Sequence, residues 1–284
     1  MTKRKVGTLL VGVLTIMLCA AQAHAETVNC TAITSLPAVI TIQGIYCFTG
    51  DLPTNVSSGN AIEVKTNNVV IDMNGHKLGG VDGGPTTLAN GIAADSHKNI
   101  TIRNGTIRGF YAGIGITDIG APSTSSGHII ENVRADANTA TGIYLVGAGS
   151  IIRNNVVVNT SGSTTATNVT SVGISMSGSG VRVLNNDVVD TRGRGTGGSI
   201  DVYVAIAPGA VVKKNRLTHT TRDPGGATGI AVTGSPDVSI LQNRLSNVTT
   251  GVSFDGGSTG NYRGNITNSV DTPYTGGTDG GNNN

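Results

Sequence analysis

Short runs in which every second position is hydrophobic recur along most of this chain of 284 residues. Such alternation places successive side chains on opposite faces, which is the pattern of a half-buried β-strand. In residues 229–234, for example, Ile230 and Val232 point to one side while Ala231 and Thr233 point to the other. No helical period of 3.6 residues accompanies these runs. The pattern therefore predicts an all-β protein.

The runs come in sets of three: an opening strand of the form G-I-x-Φ, a V-x-I strand that ends at an asparagine, and a third strand after it. The clearest copies are residues 141–160, 172–191 and 228–248. Less regular copies start at Gly59, Asn90, Ala112, Asp201 and Thr250. The spacing leaves no room for helices between strands, which excludes an α/β crossover fold. About eight three-strand coils of a parallel β-helix are predicted over residues 59–270.

An asparagine stands at the bend after the second strand of each coil. Asparagine tolerates the left-handed φ that a sharp bend needs. Coils stack about 4.8 Å apart, so amides on successive coils can link into a ladder. This structural ladder is expected to consist of Asn74, Asn104, Asn132, Asn155, Asn186, Asn215, Asn243 and Asn265.

The N-terminus has the pattern of a cleaved export signal. Three basic residues precede an apolar run over 6–20, and Ala23-His24-Ala25 is a cleavage site. We expect residues 1–25 to be a signal peptide and the protein to be periplasmic or extracellular. The apolar run is shorter than the roughly 20 residues that a membrane span needs, so no span is expected in the mature chain. Without the leader, 16 basic and 17 acidic residues remain, and this balance argues against a nucleic-acid partner.

Two segments fall outside the repeat. Residues 26–58 do not fit it, and we expect them to cap the open N-terminal end of the solenoid. Cys30 and Cys47 in this segment predict a disulfide, because an even pair in an exported chain is usually oxidised. Metal binding is the weaker alternative, since no histidine is near. Residues 271–284 are rich in Gly and Asn and are expected to form a flexible tail.

Three stretches near the front, GIYCFTGDL, AIEVKTNNVVIDMNGHKLGG and NITIRNGTIRGF, carry a family resemblance. Together with the repeats over about 59–270 they resemble the pectate-lyase-like superfamily of right-handed parallel β-helix proteins, above all its uncharacterised exported bacterial members. The resemblance implies that fold and a bias towards acidic or complex polysaccharides. It does not imply an activity, because the fold carries lyases, hydrolases, epimerases, adhesins and scaffolds. The motifs of polygalacturonases, pectate lyases, alginate epimerases and pectin methylesterases are absent from the sequence.

In this superfamily the first strand of each coil usually floors the ligand groove. The alternation puts Tyr144 and Tyr203 in one outward column, together with Glu63, Ala93, Gly115, Ser175, Ala231 and Ser253. Tyrosine rings can stack on sugar faces while the hydroxyl forms hydrogen bonds. The alternative is that they are ordinary strand residues, since Tyr is a good β-former.

Lys65, Asp95 and His97 are the candidate catalytic residues of a lyase. A lyase needs a base for the proton next to a carboxylate and a cation for the resulting enolate, and these three side chains could supply both. Asp95 and Asp118 could instead share a Ca²⁺ ion. The competing interpretation is a surface ion pair between Lys65 and Asp95, worth about 0–1 kcal/mol.

Arg192, Arg194 and Arg222 lie in the long third turns of three coils, where insertions would wall one side of the groove. Arginines there could bind an anionic sugar through bidentate contacts. His219 and Asp223 are expected in the same turns and belong to this cluster. The alternative is a set of solvated loop charges.

Three functions remain open from the sequence. The first is an exported polysaccharide-binding protein without established catalysis. The second is a polysaccharide lyase or related enzyme that acts on an acidic glycan. The third is a structural or adhesive protein of the cell envelope. None of them requires a cofactor, although Ca²⁺ is possible in the second.

Overall fold

The computed structural model describes Thr27, residues 29–120 and residues 124–284. The expected signal peptide, residues 1–25, lies outside the described residues. Within them the chain forms 28 β-strands and one short 3-10 helix, Val81–Gly83, which confirms the all-β class. None of the helices in this described part is long and apolar enough to cross a membrane.

The strands form two parallel sheets. The ten-stranded sheet contains β2 (Ala38–Ile40), β5 (Asn60–Val64), β8 (Asn90–Asp95), β10 (Ala112–Thr117), β12 (Thr141–Val146), β15 (Ser171–Ser177), β18 (Ser199–Ala205), β21 (Ala227–Thr233), β24 (Thr250–Asp255) and β27 (Thr272–Thr275). The eighteen-stranded sheet contains β1 (Thr31–Ile33), β3 (Gly44–Phe48), β4 (Leu52–Pro53), β6 (Val69–Asp72), β7 (Lys77–Gly79), β9 (Ile100–Arg108), β11 (Ile129–Asp136), β13 (Ile151–Arg153), β14 (Val156–Val158), β16 (Arg182–Leu184), β17 (Asp187–Val189), β19 (Val211–Lys213), β20 (Arg216–Thr218), β22 (Val238–Leu241), β23 (Arg244–Ser246), β25 (Gly260–Arg263), β26 (Ile266–Asn268) and β28 (Thr278–Asp279).

Each coil contributes one strand to the ten-stranded sheet and then passes through the larger sheet. A strand pairs in parallel with the strand one coil earlier and one coil later, as β12 does with β10 and β15. In two coils the second and third strands merge into one, giving the long β9 and β11. The ten strands of the smaller sheet thus mark nine complete coils and a partial tenth. The predicted right-handed parallel β-helix is confirmed.

The first coil lies in the segment that was expected to be a separate cap. Strands β2, β3 and β4 pair in parallel with β5, β6 and β7, so residues 38–53 are part of the solenoid and that boundary is wrong. Backbone hydrogen bonds suffice for this pairing. The opening strand β2 lacks the Gly-Ile mark, and no asparagine stands at the bend after β3. Strand β1 lies on the outer edge of β3 and acts as a cover. The predicted disulfide between Cys30 and Cys47 is confirmed and ties this cover to the first coil.

The last residues also belong to the solenoid. Strands β27 and β28 pair with β24 and β25, so the expectation of a flexible tail over 271–284 is wrong. Gly276 and Gly277 have φ of 66° and 67° and turn the chain against Phe254. Tyr262 and Tyr274 stack with ring centroids 4.3 Å apart and pack against the end of the core. The glycines near the C-terminus therefore allow a tight turn between the last two strands.

The core consists of columns of aliphatic side chains that run along the solenoid axis. Ile143, Ile174 and Ile230 lie in one inward column and Leu145, Met176 and Val232 in the next, and all six are fully buried. Since every coil adds one member to each column, apolar area is buried steadily along the length. The inward positions predicted from the alternation are confirmed.

Five of the eight predicted asparagines form a continuous ladder. The Nδ2 groups of Asn155, Asn186, Asn215 and Asn243 each donate to Oδ1 of the next asparagine at 3.0 Å, ending at Asn265. Each Oδ1 also accepts the backbone N–H of the preceding asparagine at 2.9–3.0 Å. The second amide hydrogen binds a carbonyl one coil back, as from Asn186 to Ile152. These side chains are buried and fully paired, and Asn283 extends the ladder by one step.

The left-handed φ does not belong to the ladder residues. It falls one position earlier, at Asn154, Asn185, Lys214 and Gln242, with φ between 53° and 58°. Asn74, Asn104 and Asn132 have left-handed φ of 49–59° and lie in this neighbouring column, so placing them in the ladder is wrong. The backbone N–H of Val133 donates to Oδ1 of Asn155, which shows that Val133 holds the ladder position in its coil.

Replacing Asn186 by Ala should lower the free energy of unfolding by about 1–3 kcal/mol, because it leaves buried groups on Asn155 and Ile152 without partners. The matched control is Asn132→Gly, at an exposed bend outside the ladder, where glycine keeps the left-handed φ. This control should change stability by less than about 0.5 kcal/mol. Urea unfolding measures both, and equal losses would mean that the ladder adds no stability of its own.

Candidate functional site

A groove of about 490 Å³ lies on the outward face of the ten-stranded sheet, across the second to fifth coils. Its lining consists of Asn60, Glu63, Asn90, Ala93, Ala94, Asp95, Tyr111, Ala112, Gly115, Thr117, Ile119, Thr141 and Tyr144. The volume is in the range of small-ligand pockets. Because the floor is a rigid sheet, the groove is formed without any movement of the chain.

The shape of the groove follows from one column of side chains. Strand register places Glu63, Ala93, Gly115 and Tyr144 next to one another on successive coils. The two small residues make a trough, the Tyr144 ring stands at one end, and the Glu63 carboxylate stands at the other. With strands about 4.8 Å apart, the trough is about 14 Å long. The outward column predicted for this face is confirmed by the register.

Amides line the side of the trough where the strands begin. Asn60, Asn90, Ala112 and Thr141 form the neighbouring column. Asn90 Nδ2 donates to Asn60 Oδ1 at 3.0 Å. A Cβ added to Gly115 would lie 3.5 Å from Oδ1 of Asn90, so this carbonyl overhangs the floor. The pair thus presents amide donors and acceptors next to an aromatic ring, which suits a ligand rich in hydroxyl groups.

The three candidate catalytic residues are not brought together around the groove. Of Lys65, Asp95 and His97, only Asp95 is among the described residues that line it. Lys65 Nζ pairs with Glu63 Oε2 at 3.3 Å rather than with Asp95. Asp95 Oδ1 accepts from the Thr117 hydroxyl at 2.8 Å and from the backbone N–H of Ile119 at 3.0 Å. A lyase assignment to these residues stays a prediction.

The two candidate calcium ligands accept hydrogen bonds from different partners. Asp118 Oδ1 accepts from the Ser96 hydroxyl at 3.2 Å, and its Oδ2 accepts from the backbone N–H of Ser125 at 3.0 Å. Over the residues that the structure describes, no group of three or more His, Cys, Asp or Glu side chains could hold a metal ion. Calcium binding at Asp95 and Asp118 stays a prediction.

The three arginines contact their own chain. Arg192 Nη2 pairs with Asp190 at 3.0 Å, and Arg194 Nη1 donates to the carbonyl of Ser163 at 3.2 Å. Arg222 pairs with Asp271 and donates to the carbonyl of Ser269. None of the three is among the described residues lining the groove. Tyr203 lies in the same column as Tyr144 but two coils further on, beyond Ser175.

Ser125 and His128 form a buried pair that sequence reasoning missed. Ser125 Oγ lies 2.8 Å from His128 Nε2, as in a nucleophile–base pair. However, His128 Nδ1 accepts the backbone N–H of Ile100 at 3.3 Å, so the ring proton belongs on Nε2 and is donated to Ser125. Burial lowers the pKa of His128 to about 4. Because Nε2 already carries the ring proton, the nitrogen that faces Ser125 cannot accept the serine proton, and the pair is structural.

His219 is not a loop residue facing the groove. It is fully buried, and its Nε2 lies 3.0 Å from Oδ1 of the equally buried Asp201. Asp201 stands in register with Gly173 in the coil before, and Gly142 stands one coil earlier. A Cβ on Gly173 would lie 3.0 Å from the Thr191 hydroxyl, and one on Gly142 would lie 3.3 Å from that of Thr160.

Two neighbouring coils thus use glycine opposite threonine at this inner corner, whereas one coil uses Asp201 opposite His219. Burial alone lowers the pKa of His219, but the hydrogen bond to Asp201 and its charge raise it overall. Burial raises the pKa of Asp201, with His219 opposing. The pair consequently holds a proton to higher pH than its separated members would. Since it is sealed in the core, it has no contact with a ligand.

The fold is that of a parallel β-helix protein with an open outward groove, and comparison with known proteins agrees. Residues 125–283, more than half of the chain, match the family described as right handed beta helix region. The chain therefore belongs to this family. No curated protein matches the sequence significantly.

Among solved structures, the Dettilon tailspike protein is similar, with 17% identity over 89% of this chain and 59% of that one, at a TM-score of 0.56. Tailspike protein 2 from Escherichia coli O157:H7 bacteriophage CAB120 has 14% identity over 89% of this chain and 37% of its own length, at a TM-score of 0.55. An alginate lyase from Paenibacillus sp. str. FPU-7 has 12% identity over 82% and 91%, at 0.49. The similarity to the two tailspikes concerns the fold alone, and this chain spans 59% and 37% of their lengths.

Removing the buried pair should be tolerated only if both members change together. His219→Thr alone leaves the Asp201 carboxyl buried without its partner and should cost about 3–5 kcal/mol. Adding Asp201→Gly recreates the arrangement of the two preceding coils and should recover most of this loss. Urea unfolding of both single variants and the double variant gives the coupling free energy between Asp201 and His219. Losses that simply add would show that the two residues are not coupled.

The same variants test a pH dependence. Because the folded pKa of His219 lies above the unfolded value of about 6.5, the contribution of His219 is fully present below pH 6.5. It should be lost as the pH rises through the folded pKa. The difference in unfolding free energy between wild type and the double variant should therefore shrink between pH 6 and pH 9. A difference that grows with pH would contradict a raised pKa of His219 in the folded protein.

Proposed function

We propose that this chain binds a polysaccharide along the groove of the ten-stranded sheet. The observation that carries this proposal is the trough over Ala93 and Gly115, with the Tyr144 ring at one end and the Asn60–Asn90 amides along its side. An aromatic face matches the apolar face of a sugar ring, and the amides match its hydroxyl groups. A trough that runs along the solenoid axis suits a linear chain better than a compact small molecule.

Binding without turnover is the form of the function that the contacts favour. An acid–base reaction needs at least one group within hydrogen-bond reach of the reacting proton. Asp95 is the single candidate catalytic residue in the groove, and its carboxylate is already held by Thr117 and Ile119. Lys65, the candidate cation, is paired with Glu63.

We also infer that the protein works outside the cytoplasm. The disulfide between Cys30 and Cys47 supports this, because disulfides form and persist in oxidising compartments. Its residues lie 17 positions apart, so the crosslink closes a short loop at the start of the solenoid. When the full chain is expressed in a bacterial host, N-terminal sequencing of the exported protein should begin at Glu26. A cytoplasmic product that starts at Met1 would contradict export.

The groove can be tested by removing its ring and by filling its floor. Tyr144→Ala should weaken binding about tenfold or more, since it deletes the stacking surface. Gly115→Leu should abolish binding, because the outward side chain occupies the trough without entering the core. Isothermal titration with oligosaccharides that bind the wild type on a glycan array measures both variants.

Ser239→Leu is the matched control for the filled floor, since Ser239 is a small outward residue on β22 of the other sheet. It should bind like the wild type, and all three variants should unfold at similar urea concentrations. Tyr203→Ala shows whether the bound chain extends two coils beyond the trough. Unchanged affinity in Tyr144→Ala and Gly115→Leu would exclude this groove. If the wild type cleaves the sugar and Asp95→Ala does not, the protein is an enzyme rather than a binding protein without turnover.

A further inference from the structure

The charges of the groove point to the class of sugar that it takes. Among the described lining residues there are two carboxylates, Glu63 and Asp95, and neither lysine nor arginine. Lys65 stands beside Glu63 at 3.3 Å and balances that charge. The negative charge of Asp95 is stabilised by hydrogen bonds from Thr117 and Ile119, which are neutral groups. The trough therefore carries about one net negative charge.

The cations that could offset this charge are engaged elsewhere. Arg192 is held by Asp190 and Arg222 by Asp271. Arg194 donates to a backbone carbonyl at Ser163. For any of them to meet a carboxylate of a ligand in the trough, it would have to leave these partners, and no described contact directs them there. The electrostatic surroundings of the trough are consequently set by Glu63, Lys65 and Asp95.

A sugar carboxylate in this trough would lie near the Asp95 carboxylate. Juxtaposed like charges across an interface cost several kcal/mol. A sugar hydroxyl in the same place would instead donate to Asp95, and hydrogen bonds to an ionised acceptor are stronger than those between neutral groups. The Asn60–Asn90 amide pair serves neutral hydroxyls in the same way.

We propose that the groove selects a neutral polysaccharide and rejects glycans that carry carboxylates. This inference rests on the proposed binding function and names its ligand class. It departs from the acidic-glycan preference that the family resemblance implies. It also agrees with the finding that Lys65, Asp95 and His97 are not brought together around the groove, because β-elimination requires a carboxyl group next to the carbon that loses its proton.

The test compares matched neutral and acidic probes on the full mature chain. The neutral set is gluco-, manno-, xylo- and galacto-oligosaccharides together with carboxyl-reduced polygalacturonate. The acidic set is oligogalacturonides, alginate oligomers and unreduced polygalacturonate. We expect binding within the neutral set that changes less than about twofold between 20 and 300 mM salt. Binding to acidic probes should be at least about tenfold weaker and should improve as salt screens the repulsion.

A charge variant separates electrostatics from shape. The double substitution Glu63→Gln and Asp95→Asn keeps the hydrogen-bonding groups while removing both carboxylates and leaving Lys65 unbalanced. It should raise affinity for the acidic probes about tenfold or more. It should lower affinity for the neutral probes, because their hydroxyl groups lose an ionised acceptor at position 95. Asp237→Asn, an exposed acid-to-amide change on a turn far from the groove, is the matched control and should alter neither.

The two proposals fail differently. Strong wild-type binding of an acidic probe that weakens with salt would overturn the neutral-glycan inference and leave the polysaccharide-binding function in place, provided that Gly115→Leu still abolishes it. Absence of binding to every probe in both sets would overturn the binding function, and the inference would fall with it.

Discussion

The parallel stacking of coils in register is the constraint on which the rest of this structure depends. Each backbone strand bonds to the same strand one coil away, so every side chain has a neighbour of equivalent position about 4.8 Å above and below. A residue is therefore compatible with the fold only if its side chain packs or bonds with the equivalent side chains of the neighbouring coils. In the aliphatic columns the stacked side chains are buried against one another. In the asparagine column each side-chain amide hydrogen-bonds to the next.

The same constraint explains why the groove is where it is. In an outward column the size of the side chain can differ from coil to coil, because these side chains face solvent and need not fit a packed core. Small residues at Ala93 and Gly115, followed by Tyr144, carve a trough without disturbing a single inward column. Binding surfaces on such a solenoid can therefore be rewritten by outward substitutions while the fold is unchanged. Function on this scaffold is therefore determined by the size and charge of the outward side chains rather than by the order of the strands.

Much of the architecture could be predicted from alternation alone, since a period of two fixes which side chains point inward. The first coil could not be detected because its opening strand lacks the Gly-Ile mark and no asparagine stands at its bend, although its backbone pairs like the others. The ladder was misassigned at Asn74, Asn104 and Asn132 because neighbouring columns also favour asparagine, one for left-handed φ and one for its amide. Composition cannot separate two columns that lie one residue apart.

The site was predicted less completely than the fold. The outward column of Tyr144 followed from the register, but the partners of Lys65 and the arginines depend on turns whose course no local pattern gives. His219 was assigned to a loop because it precedes an insertion in the sequence, whereas it occupies the last inner position before that insertion. Its partner Asp201 stands 18 residues away, and only the coil geometry joins them.

The inner corner where Asp201 meets His219 has a consequence for how such solenoids grow and diverge. Coils that use glycine opposite threonine can be duplicated or exchanged singly, because each corner is complete within its own turn. The coil with the charged corner can be copied only as an intact unit that includes both residues, which lie at opposite ends of the turn. A duplication whose break falls between them would produce a hybrid coil that contains either the buried acid or the buried imidazole without its counterpart. Natural breakpoints near this coil should therefore fall outside residues 201–219.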